Sequence, residues 1–280
     1  MTWRIRISHR SSYCYGHEVE SSYNEARITP LTTHRQLVLD AGVHVTPSAS
    51  ILRYWDYWGT QVHAFDLHLP HTELVVTSTA VVETSAPAAA PAAVGWDDVA
   101  CPGVRDEFAE LLAATPFTSL DGELSEVARG IASTAPPAET CDRVVEWVHG
   151  RLRYEPGATS VSTSAAEALQ HGGGVCQDFA HITLAALRVV GIPARYVSGY
   201  LHPDPQAEIG APIVGESHAW VEAWIGDWHA LDPTNGGPVG ERHVVVARGR
   251  DYADVPPLKG LYHGGPLERL SLAVELTRLA

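Results

Sequence analysis

HGGGVCQDFAHITLAALRVVGIPARYVSGY, residues 171–200, is the stretch whose reading decides the fold. Three glycines, Gly172 to Gly174, let the backbone turn sharply and approach a neighbour closely. From Val175 to Val190 the apolar spacing predicts a helix, stopped by Gly191 and Pro193. Cys176 then falls in its first turn. Free backbone N–H groups and the positive end of the helix dipole favour a thiolate there. The same N–H groups suit the oxyanion of a tetrahedral intermediate. The plainer alternative is a buried structural cysteine at a helix start.

A thiolate nucleophile needs a base, and the base needs a group that holds its tautomer. Downstream lies ESHAWVEAWIGDWHALDPTNG, residues 216–236, with His218 opening one alternating strand and Asp232 ending the next. The spacing predicts a hairpin turning at Ile225-Gly226-Asp227, which brings its two ends side by side. His218 and Asp232 then reach hydrogen-bonding distance. Either residue alone reads as a solvated strand-end polar group; the pair, following a helix-start cysteine, reads as a site.

Neighbouring residues divide by spacing. Gln177 and Asp178 share the first helical turn with Cys176; Asp178 suits a charge at the helix start, while Gln177 is open between structure and substrate contact. His181 lies off the Cys176 face and reads as a packing histidine. Arg195 and Tyr196 begin a strand expected to lie under the site. Trp220 and Trp224 alternate with Val221 and Glu222, and at least one of the two belongs to the core. Tyr154 and Thr159 precede the nucleophile at positions able to line a cleft. The candidate substrate or oxyanion residues are therefore Gln177, Tyr154 and Trp220.

Working outward, residues 86–95, APAAAPAAVG, form the clearest break in the chain. Before it, alternation predicts strands over 2–8, 36–46, 61–69 and 73–83, with a turn at Gly59. After it, helices are expected over Val104–Ala113, Leu124–Ala132 and Ala138–Leu152, the last capped by Thr140. Strands follow at 194–201, 217–225, 228–234 and 243–249, and SLAVELTRL closes the chain as a further strand. The expected organisation is an all-β region over 1–85, a linker over 86–96 and an α+β catalytic domain over 97–280.

Composition limits the remaining function classes. The chain has 280 residues, 45% of them hydrophobic, and a formal net charge of −14. A surface that negative repels phosphate backbones and anionic lipid, so neither nucleic acid nor membrane is expected as a partner. No apolar run approaches a spanning helix, and MTWRIRISHRSSYCYGHE is too polar for a secretory signal, so a cytoplasmic location is expected. The four cysteines, Cys14, Cys101, Cys141 and Cys176, fit neither a disulfide framework nor a zinc knuckle. His63, His68 and His71 cluster in sequence without an acidic or thiol partner, and no calcium loop, phosphate loop or dinucleotide fingerprint is present. No metal and no cofactor is expected. Oligomeric state leaves no mark in the sequence.

G-V-C-Q-D-F-A-H, G-I-P-A-R-Y-V-S-G-Y, S-H-A-W-V-E and L-D-P-T-N, in that order over about 135–240, resemble the core of the bacterial transglutaminase-like proteins. Asp56-Tyr57-Trp58-Gly59 and Pro70-His71 resemble that family's N-terminal region. The resemblance implies a papain-like fold, with a Cys-bearing helix packed on an antiparallel sheet. It also implies Cys176 as nucleophile, His218 as base and Asp232 as its orienting partner. The expected activity is hydrolysis or acyl transfer on peptide-type amides, with a peptide or protein as substrate. The competing expectations are a non-catalytic binding module that keeps the fold, and a structural protein whose function lies in 1–85.

Overall fold

A computed structural model describes residues 2–86, 94–119 and 122–280; seven residues of the expected linker, 87–93, lie outside the described residues. The dominant element is the strand Thr2–Ala26. Its burial alternates from Trp3 through Ile5 and Ile7, so one face meets the core while the other carries Arg4 and Arg6. Along one edge it pairs antiparallel with His71–Ser85 and then with Gln61–Leu67. Gln36–Thr46 adds beyond His71–Ser85, and Ile51–Trp55 beyond Gln61–Leu67. Asp56-Tyr57-Trp58-Gly59 is the turn of that last hairpin, with Gly59 at φ 74° and Asp56 Oδ1 accepting from the Trp58 and Thr60 amides.

The end of the chain returns to its beginning. Leu267–Arg278 and Leu258–Gly264 both pair with Thr2–Ala26, so the sheet begun by the first 85 residues is completed by residues expected to belong to the catalytic domain. Leu267–Arg278 also carries the pairing onward: Val274 lies opposite Gly215 in Pro212–Trp224. That strand continues against Ala194–Leu201 and Trp228–Asp232, and His243–Gly249 pairs with the far side of Ala194–Leu201. With the short strand Gly237–Pro238 beside Trp228–Asp232, the described residues form one twelve-stranded antiparallel sheet.

The helix Cys176–Val189 packs on this sheet, and residues 177–188 are all buried. Phe179, Ile182, Leu184 and Leu187 share a core with Ala219, Val221 and Ala223 from the sheet and with Ile5 and Ile7 from the first strand. Burying one such aliphatic side chain is worth roughly 1.5–3 kcal/mol, so this one helix anchors both halves of the molecule. Helices Pro137–Arg151 and Ala165–His171 enclose its other sides. The architecture is α+β, with the sequence-expected helix and strands around 176–232 in place.

Several local expectations are corrected. Thr140 is not a cap: the helix begins at Pro137, and Thr140 is buried inside it with its hydroxyl donating to the Ala135 carbonyl. The helix expected over Val104–Ala113 is two short pieces, Pro102–Glu107 and Ala109–Leu112, broken at Phe108. Phe108 leaves helical geometry and its ring packs against Trp224 and Trp228, a tertiary contact that outweighs local propensity.

Candidate active site

Cys176 is the first residue of its helix, and Val175 is the N-cap. Val175 offers no polar side chain, so Asp178 supplies the cap: its Oδ2 accepts from the Val175 amide at 2.7 Å and from the Thr159 hydroxyl at 2.6 Å. Gly174 sits against that carboxylate, and a Cβ there would overlap it. Gly172 adopts φ 73° to end the preceding helix. The glycines therefore serve two needs: a left-handed stop, then close approach by Asp178. By position, the Cys176 and Gln177 amides are among the first-turn donors that lack a partner within the helix.

His218 and Asp232 are brought together by the expected hairpin. Gly226, at φ 91°, makes the turn, and Trp228 to Leu231 lie opposite Trp224 to Val221. His218 Nε2 is 2.9 Å from Asp232 Oδ2. The His218 ring also interacts with the Cys176 thiol, so the sulfur, the imidazole and the carboxylate converge. Burial opposes charge on His218, but hydrogen bonds to Asp232 and Cys176 outweigh it and raise its pKa to about 9. Burial likewise opposes charge on Asp232, yet donors from His218, His243 and Asn235 hold it well below the usual carboxylate range.

Asp232 is 1% exposed and accepts from every side. Oδ1 takes the Thr234 and Asn235 backbone amides at 3.1 and 3.2 Å. Oδ2 faces His218, the Asn235 side-chain amide at 2.8 Å and His243 Nε2 at 3.2 Å. His243 was not singled out in the sequence. It comes from the strand beyond Ala194–Leu201, and no spacing rule links it to Asp232. Asn235 stood in the quoted L-D-P-T-N run, where its proximity to Asp232 was the available signal. His218, Asp232 and His243 each offer one ligand-type atom within 4.8 Å of the others. Both Asp232–His contacts are hydrogen-bonding distances, so the cluster is satisfied as a polar network.

The other candidates separate. Tyr154 is half exposed and borders a cavity of about 440 Å³ beside His218, with Leu201, Val214, Glu216 and Asn235. Gln177 is buried and its amide donates to the Val161 carbonyl at 3.1 Å, tying the helix start to a loop. Trp220 is fully buried, which removes it from direct substrate contact. Its ring instead lies near-parallel to His218 and edge-on to His243. The Arg195 guanidinium stacks over Trp228 at 3.7 Å and bonds Glu222 at 2.6 Å, under the sheet. His181 is enclosed between the Phe117 and Tyr196 rings and accepts the Tyr252 amide. Of the N-terminal histidines, His63 pairs with Thr29, His71 with the Leu69 carbonyl, and His68 packs on Tyr23.

Two family models match the chain: a transglutaminase-like superfamily core over residues 125–233 and a bacterial transglutaminase-like N-terminal region over 5–83. An uncharacterised Mycobacterium leprae (strain TN) protein is 45% identical over 99% of this chain and 100% of its own length. An uncharacterised protein of Mycobacterium tuberculosis (strain ATCC 25618 / H37Rv) is 34% identical, covering 94% of this chain and 88% of that one. Among solved structures, a candidate cysteine protease from Cytophaga hutchinsonii superposes with a TM-score of 0.76 at 23% identity. That alignment covers 100% of this chain and 93% of the other, and it shows a shared fold.

Proposed function

The chain belongs to the transglutaminase-like superfamily, and from that premise we propose an enzyme that cleaves or transfers peptide-type amides through Cys176, His218 and Asp232. The observation that carries this reading is the orientation of His218. Asp232 engages Nε2 at 2.9 Å, which leaves Nδ1 for the thiol. In that arrangement the carboxylate fixes the ring and stabilises its protonated form.

The Cys176 thiolate attacks the amide carbonyl carbon, and the first-turn N–H groups of the helix receive the oxyanion. Collapse breaks the C–N bond as the His218 imidazolium gives its proton to the departing amine. An acyl-thioester on Cys176 and a neutral imidazole remain. His218 then takes a proton from water, the hydroxide adds to the thioester, and collapse releases a carboxylic acid and the thiolate. A primary amine in place of water gives a new amide by the same steps.

The substrate is proposed to be a peptide or protein, admitted through the cavity between Tyr154 and Asn235. The test is mass spectrometry of a glutamine-containing peptide with and without an added primary amine. Deamidation adds about one mass unit, and transfer adds the amine's mass less ammonia. A wild-type protein that produces neither change, and no chain cleavage, across a panel of glutamine-containing peptides would overturn the reading.

A further inference from the structure

We propose that His243 is a positioning residue of this site, one whose Nε2–H holds the Asp232 carboxylate beside His218 and takes a share of its charge. The argument begins with the other nitrogen of the ring. The Gly240 backbone N–H donates to His243 Nδ1 at 3.2 Å. A backbone amide has no acceptor to offer, so Nδ1 is the unprotonated nitrogen and the neutral ring carries its proton on Nε2. That N–H points at Asp232 Oδ2, 3.2 Å away. Protonating Nδ1 would set two donors against each other. The geometry therefore holds His243 as a neutral donor of fixed tautomer.

The setting reinforces this. His243 is 6% exposed, and burial pushes its pKa down while the bond to Asp232 pushes back. The Trp220 ring meets it edge-on at 5.3 Å, which leaves little room for rotation. The two imidazoles lie 6.1 Å apart, centre to centre, and the Nε2 atom of each reaches the same carboxylate oxygen. The titratable and charged groups around them are Cys176 from the helix, Asp232 from the hairpin and Arg242 beside His243. Tyr154 and Glu216 stand on the cleft side of His218.

A carboxylate oxygen shared by two imidazoles cannot give its full charge to either. With His243 in place, Asp232 is fixed in orientation and its pull on the His218 proton is moderated. Removing the donor frees charge for His218 and lets the carboxylate turn. This inference rests on His218 being the working base, as proposed above.

The experiment is nitrogen-15 NMR of histidine-labelled protein, with ring signals assigned by single substitutions. In the wild type, His243 is expected in the Nε2–H tautomer at neutral pH. A Nδ1–H tautomer, or a charged His243 near pH 7, overturns the proposal whatever the variants do. In His243→Leu the His218 titration is expected to move upward from the wild-type value by roughly half a pH unit or more, as a lost charge-assisted donor would require. His243→Gln, with an N–H near the same point, is expected to move it back toward wild type. An unmoved His218 in His243→Leu, or equal displacement in both variants, also overturns it. Where His243→Leu fails to fold, the wild-type tautomer decides. Failure of the enzymatic reading registers elsewhere, as a Cys176 no more reactive than the other thiols.

Discussion

His218 and Asp232 are 14 residues apart in the chain and 2.9 Å apart in space, the two ends of one hairpin closed at Gly226. The carboxylate lies at the buried end of this pair and the imidazole at the end that meets the thiol. Replacing Asp232 with Asn keeps the shape and removes the charge that stabilises the imidazolium. Turnover of a responsive peptide is expected to fall on the order of a hundredfold or more. A rate within twofold of wild type, in a protein with unchanged circular dichroism, would sink the assignment of Asp232.

The four cysteines sit in different surroundings, so they should react differently. Cys176 is partly exposed and beside an imidazole, whereas Cys141 is fully buried and burial pushes its thiol up to about 12. Iodoacetamide near neutral pH is expected to label Cys176 first and Cys141 last. Peptide mapping of a time course reads the order. Equal labelling of all four would count against an activated thiol.

Stability should fall on both sides of neutrality, for opposite reasons. Burial lowers His9 to about 4, and burial, aided by the nearby Arg188 charge, lowers His181 to about 3. Both fold as neutral rings, so the unfolded chain binds more protons once pH drops below about 6.5, and stability is lost from there downward. His218 is raised to about 9, so its contribution is full below about 6.5 and lost as pH rises through about 9. Urea midpoints measured from about pH 4 to about pH 10 should trace a dome. A midpoint constant between pH 6.5 and pH 4 would contradict the burial of neutral His9 and His181.

Gly199 lies opposite His218 in the sheet, and a Cβ there would strike the Val244 carbonyl oxygen and the Trp220 ring. Gly199→Ala must therefore displace a backbone or the indole behind the imidazoles. We expect a loss of roughly 2–4 kcal/mol in denaturant unfolding, together with slower Cys176 alkylation. Gly122→Ala, with open space around it, serves as the control.

The legible part of this molecule was whatever short-range spacing encodes. The helix at Cys176 announces itself by apolar period and glycine punctuation, and the hairpin from His218 to Asp232 by alternation around Ile225-Gly226-Asp227. Asp178 could be read as a helix-start carboxylate because its charge and position suffice. His243 could not, because it reaches Asp232 across three strand pairings that leave no spacing signal. Phe108 and Thr140 misled for a related reason: aromatic packing on Trp224 broke one helix, and a buried backbone partner drew Thr140 inside another. The return of Leu258–Gly264 and Leu267–Arg278 to the first strand was equally hidden, since alternation identifies a strand and says nothing of its neighbour.

The strand Leu267–Arg278 bridges Thr2–Ala26 and the strand that bears His218, through the pairing of Val274 with Gly215. A ribosome delivers residue 176 and residue 232 well before it delivers residue 274. The hairpin and its helix can form early, but the sheet pairing that joins them to the first strand awaits residues 267–278. A nascent chain that reaches residue 232 but not residue 267 would carry Cys176, His218 and Asp232 yet lack the strand that ties their sheet to Thr2–Ala26.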